Sequence, residues 1–247
     1  MGASGLKGKQ DKDLRNIEGM YCERPHFGVK DDGSVEMTSV DKVAIINSPF
    51  VESDDFRAKL ARELFKAVKS HLRAYELRDG ILTISSGLSV RREKVAVEEN
   101  NVNRTYADGY GAALEDGLNN YSVLVLMRNT YNPNYDLPKH TNLELAAGIL
   151  VGSLNLGEML KVAEITKVTD ELIATIEKYS GMSYEKFLKM FDVLRQKEEE
   201  KNRAIGTDSF DEASLEYERY FTETIAPVLS QMAKSMNFGQ NSLGITV

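Results

Sequence analysis

The chain has 247 residues, 42% hydrophobic and 28% charged, which is enough apolar material to bury a core and excludes a collagenous or disordered chain. Its net charge of −7 is unevenly placed: residues 1–100 carry 17 basic and 17 acidic side chains, so the whole acidic excess falls in 101–247. Beyond Arg91-Arg92 there is no Lys/Arg cluster, and a non-specific nucleic-acid coat needs a basic face to displace counterions, so nucleic acid is not an expected partner.

Cys22 is the single cysteine and His26, His71 and His140 are scattered. One thiol excludes an internal disulfide and a thiolate cluster, and no His pair has zinc-ligand spacing, so neither a metal nor a cofactor is expected. No apolar run reaches the ~20 residues that span a bilayer, and MGASGLKGKQDKD lacks the apolar stretch of a secretory signal. The expectation is a chain that stays off membranes, located in the cytoplasm or a virion.

In chain order, residues 1–40 read as an irregular N-terminal arm, broken by Gly2, Gly5, Gly8, Gly19, Gly28, Gly33 and Pro25. Within it, Asp32-Gly33 between weakly alternating 26–29 and 35–38 predicts a short hairpin. KVAIIN at 42–47 predicts a buried strand that Pro49 ends. A helix follows Ser53, with Asp54-Asp55 in its first turn and Phe56, Leu60, Leu64, Val68 and Leu72 at i+4 spacing between basic flanks. Strands are expected at 81–84 and, more exposed, around Val90 to Val97, then a short helix over 106–118.

Tyr121 to Met127 (YSVLVLM) is a continuous apolar run of buried-strand length, expected at the centre of the sheet. Residues 128–140 form a polar loop, and Thr141 opens a helix with Glu144 three residues on, a capping-box spacing, ahead of an apolar run that predicts burial nearly all round. From 156 to 236 the periodicity is helical, with Thr169 and Ser183 as caps, Gly181 and Gly206 as breaks, and Pro227 as a kink or restart. Residues 237–247 are a tail. The fold class is therefore α+β or α/β: a small mixed sheet (strands near 42–47, 81–84 and 121–127), flanking helices, the arm, and a helical region after a mixed core at 41–155.

Two groups of residues bear on chemistry. Arg104, Tyr106, Asp108 and Glu115 place a guanidinium near carboxylates, either to hold an oxyanion or as a local i,i+4 pair. The string Thr141-x-x-Glu144-Leu145-Ala146-x-Gly148-x-x-x-Gly152 resembles the helix of nucleoside deoxyribosyltransferase-like proteins, and KVAIINSPF at 42–50 is similar to their first strand and turn. That resemblance implies Glu144 as the carboxylate that attacks the anomeric carbon of a nucleoside or nucleotide, in an N-glycosidase or transferase, with His140 in the adjoining loop as a second candidate. Read from spacing alone, Thr141 and Glu144 are a capping box.

Three functions follow as expectations. The first is a non-enzymatic structural subunit of a homo-oligomeric assembly, a virus or phage particle component, whose arm contacts further copies of the chain. The second is the Glu144 glycosyl-transfer enzyme. The third makes the acidic helical region a dock for a basic protein partner.

Overall fold

In a computed structural model, residues 19–46, 53–69, 73–98, 101–136, 141–154, 156–164 and 167–236 are described. Strands β1 (Gly19–Val29) and β2 (Val35–Ile46) form an antiparallel ribbon. The hairpin predicted around Asp32-Gly33 is therefore present and longer, and its second strand takes in residues 42–46 of the strand predicted at 42–47, with Val43 exposed where a buried strand is expected. Gly33 has φ +79, and the Ser34 N–H donates to the Asp32 carboxylate at 2.8 Å, which sets the turn. Residues 1–18 of the expected arm and the tail 237–247 lie outside the described residues.

After helix α1 (Asp54–Lys69), strands β3 (Ala74–Arg78), β4 (Ile81–Ser86), β5 (Ser89–Glu98) and β6 (Asn101–Tyr110) form a four-stranded antiparallel sheet in sequential order. The β3–β4 connection is Asp79-Gly80 with φ +51 and +71, the double positive φ of the tight hairpin turn whose twist matches the strands. Both sheets are antiparallel, so the arrangement is α+β, with α1 between the two sheets and the remaining helices after the strands.

The helical body comprises α2 (Ala112–Thr130), α3 (Asn142–Gly148) continued by a wide turn at Ile149–Ser153, α4 (Glu158–Glu164), α5 (Asp170–Ser180), α6 (Tyr184–Arg203), α7 (Phe210–Tyr220), a second wide turn at Phe221–Ile225, and α8 (Ala226–Ser235). Thr169 and Ser183 cap as expected, their hydroxyls accepting the N–H groups of Leu172 and Lys186. Pro227 sits in the first turn of α8, where its missing N–H costs nothing, and the wide turn before it realigns the chain. Leu114, Leu118, Leu150, Leu172, Phe187, Phe191, Ile225 and Met232 are among the side chains closing the main core, with the Phe187 and Phe191 rings edge to face at 5.3 Å.

Three expectations are corrected. YSVLVLM at 121–127 is the middle of α2, not a central strand. A short apolar run fits either a buried strand or a buried helix. Here Leu114, Leu118 and Ser122, with Val123 and Met127, continue an i+4 series that buries one side and leaves Val125 and Leu126 partly outside. Residues 106–110 belong to β6, and the helix begins only after Gly111, whose φ of +85 turns the chain. A Cβ at Gly111 would stand 2.3 Å from the Leu88 carbonyl oxygen. The third correction is to α3, which is not buried all round: Leu145 is 52% exposed.

Helix α1 is also turned differently from a simple reading of its apolar stripe. Ala58, Ala61 and Phe65 face α2, packing with Val123, Leu124 and Met127, while Leu64 and Val68 are turned outward. Two buried charges on α1, Glu63 and Lys69, fix this rotation.

Candidate functional site

Glu144, the candidate nucleophile, lines a cleft of about 170 Å³ between four helices. Arg62 and Lys66 come from α1, Asp116, Gly117 and Asn120 from α2, Thr141, Leu143 and Glu144 from the start of α3, and Arg195 and Glu198 from α6. Close approach of α2 and α3 depends on Gly117, where a Cβ would lie 2.9 Å from the Leu143 carbonyl oxygen. The cleft lies among helices and not at the carboxyl end of a parallel sheet, because 121–127 is helical.

The carboxylate of Glu144 is 5% exposed and already engaged. Its Oε1 accepts from Asn120 Nδ2 at 2.7 Å, and its Oε2 accepts both the backbone N–H and the hydroxyl of Thr141 at 2.5 Å. This is the reach-back half of a capping box, reinforced by a neighbouring helix. Around it the charges are balanced: Arg195 donates to Asp116 at 2.7 Å, and Arg62 and Lys66 both reach Glu63 at 3.3 and 3.2 Å. Among the described lining residues Leu143 is the one large apolar side chain and none is aromatic. The arrangement gives Glu144 the task of holding α3 against α2. His140 lies outside the described residues.

The group Arg104, Tyr106, Asp108 and Glu115 does not come together as its spacing suggests, because 104–108 is a strand and i,i+4 neighbours are not adjacent there. Arg104 pairs with Glu93 at 3.2 Å and Asp108 with Arg92 at 3.1 Å. Glu115 instead meets Lys69 in a buried ion pair, with Lys69 2% exposed. The second oxygen of Glu115 accepts the N–H groups of Leu88 and Ser89 at 2.8 and 3.1 Å. The turn wraps the carboxylate tightly, since a Cβ at Gly87 would be 2.7 Å from Glu115 Oε2. Burial pushes the Glu115 carboxyl up, and Lys69 opposes that shift. One carboxylate thus ties together α1, the β4–β5 turn and α2.

Two further groups hold the parts in register. Asp192 of α6 accepts from the N–H groups of Gly111 and Ala113 at 2.8 and 3.0 Å, capping α2 from another helix. On the ribbon, the Glu23 carboxylate is 1% exposed and bonded by Tyr21, by Arg73 at 2.9 Å and by Tyr75. Burial, then the hydrogen bond to Glu23, pushes the Tyr75 phenol up to about 12. Sequence reading places Lys69 in the solvated basic flanks of α1, which its burial corrects, and does not single out Glu63, Asp192 or Glu23. The partners of Lys69, Asp192 and Glu23 lie 46 to 81 residues away, and no local pattern reports such pairing; Glu63 is paired within α1 by Arg62 and Lys66, and only its burial is tertiary.

Elsewhere the ribbon is open to solvent. Val29, Met37 and Val43 are 40, 38 and 40% exposed, and among the described residues each ribbon strand pairs only with the other. A groove of about 470 Å³ runs along Arg24 to Val29 of β1 and Val102 and Arg104 of β6. The Arg104 guanidinium stands 5.5 Å over the Phe27 ring, and His26 lies 2.7 Å from Asp41.

Among the described residues no group of three or more His, Cys, Asp or Glu side chains is placed to hold a metal ion, and no helix is long and apolar enough to cross a membrane. No family model matches the chain, and neither a curated protein nor a solved structure matches it.

Proposed function

We propose that this chain is a non-enzymatic structural subunit of a homo-oligomeric assembly, in the manner of a virus or phage particle component. The observation that carries the reading is the ribbon. A two-stranded ribbon alone in water is marginal, and its outer edges present unpaired N–H and C=O groups. Here β2 has 12 residues, about 40 Å at ~3.3 Å per residue, long enough to reach across a neighbouring copy. It carries exposed Val29, Met37 and Val43 and is fastened to its own body along β1, through Glu23 with Arg73 and Tyr75 and through Phe27 under Arg104. A contact in which the ribbon of one copy lies on the body of the next is head to tail, and it closes rings or builds shells according to the rotation between copies.

The test is the native mass of a Met37→Asp/Val43→Asp variant by multi-angle light scattering. Both positions are solvent-facing, so the circular dichroism of the monomer should be unchanged while the assembly shrinks. A variant that keeps the wild-type native mass would remove the ribbon from the account.

A further inference from the structure

Six consecutive residues of β1, Arg24 to Val29, line the groove of about 470 Å³ beside β6. Side chains alternate between the two faces of a strand, so a groove that touches all six runs along the strand's edge and not over one face. That edge is open: among the described residues β1 pairs only with β2, and the four-stranded sheet ends at β6. On an edge strand every second residue turns its N–H and C=O away from its ladder partner. Pro25 offers no N–H, and the donors fall to residues 26–29. The far wall is β6, where Val102 and Arg104 are two apart and share a face.

Charge narrows what this edge accepts. Among the described residues Arg24, His26 and Arg104 line the groove and no carboxylate does. Arg24 is exposed and, among the described residues, has no hydrogen bond or ion pair. The Glu93 carboxylate, 6% exposed, takes both Arg91 at 2.6 Å and Arg104 at 3.2 Å. Asp41 stands opposite Arg24 in the ladder but pairs with His26 at 2.7 Å. Three guanidiniums thus meet two carboxylates, and Arg24 carries the surplus. We propose that the groove takes an extended, acidic peptide segment of a partner protein, which adds as a strand to the edge of β1, with its carboxylates toward Arg24 and Arg104 and its apolar side chains on Phe27 and Val102. Main-chain bonds supply affinity, and side chains at alternate positions supply the choice of sequence. About six residues are covered, since 24–29 span about 20 Å at ~3.3 Å each. This docking does not depend on self-assembly and holds for a single copy of the chain.

The probe is acetyl-Val-Glu-Val-Glu-Val-Glu-amide, titrated into the full chain by calorimetry, with amide NMR shifts to place it. Saturable binding that weakens with salt is expected, with shifts concentrated at 24–29 and at Val102 to Arg104. The counterpart with lysine for glutamate should bind at least about tenfold more weakly. So should the glutamate peptide methylated at every backbone nitrogen, which keeps its charge and loses its main-chain donors. Arg24→Glu should lower the affinity about tenfold, while Arg78→Glu, 81% exposed on the far edge strand β3, should change it little; both should keep the wild-type circular dichroism. No saturable binding below about 1 mM, a loss with Arg24→Glu no greater than with Arg78→Glu, or a methylated peptide that binds as well as its parent would overturn the proposal. A monomeric chain that binds the peptide would sink the assembly reading and leave this one standing.

Discussion

Replacing Lys69 by Met tests whether the ion pair with Glu115 sets the rotation of α1. The methionine fills the same volume but leaves the Glu115 carboxylate buried, with only the Leu88 and Ser89 N–H groups as donors. Removing one partner of a buried pair costs about 3–5 kcal/mol, because the remaining charge is left desolvated and unpaired. Both groups are inside, Lys69 2% and Glu115 8% exposed, so screening by solvent does not reduce this much. In urea, with a slope of about 3 kcal/mol/M, the unfolding midpoint should fall by about 1 M or more. Lys69→Met/Glu115→Gln should recover most of the loss, since the amide oxygen still accepts from the β4–β5 turn while no charge is buried. The coupling between the two changes should reach at least about 1 kcal/mol. A single-variant loss below about 1 kcal/mol, or two losses that simply add, would refute the reasoning.

Other outcomes follow from the same contacts. Asp192→Ala should cost about 1–2 kcal/mol in urea unfolding, because the Gly111 and Ala113 N–H groups at the start of α2 lose their acceptor; no change in midpoint would show that water replaces it freely. Glu144→Gln should lower stability by about 1 kcal/mol through the weakened cap on α3; an unchanged melting profile would mean that the carboxylate is not needed there. Burial holds the phenols of Tyr75 and Tyr217 at about 12 in the folded chain. Both are protonated, folded or unfolded, below pH 10. Between 10 and 12 the unfolded chain ionises first, so stability should fall with rising pH across that window. Phenolate absorbance should show a late component that Tyr75→Phe reduces, and a titration of all eleven tyrosines in one step centred at the unshifted value of about 10 would contradict it.

Local signals in the sequence reported local structure well. The Asp32-Gly33 turn, the strands at 81–84 and around Val90 to Val97, and the Thr169 and Ser183 caps each depend on residues within a few positions of one another. YSVLVLM misled because an apolar run of seven residues has no period of its own; only Leu114 and Leu118, upstream on either side of Gly117, give it a helical phase. The Thr141–Glu144 spacing was legible as a capping box, but Asn120, which adds a third donor, was not. Nor was the orientation of α1. Its amphipathic pattern favours burying the leucine stripe, and the structure instead buries Glu63 and also Lys69, whose partner Glu115 is fixed only by tertiary contact.

The central claim of the proposal is that the exposed ribbon serves contacts between copies of the chain. Sedimentation velocity of the full chain over a dilution series tests it most directly. The account predicts one or more species at multiples of 27.6 kDa that persist at micromolar concentration and break down in the Met37→Asp/Val43→Asp variant. A single 27.6 kDa species at every concentration would contradict it.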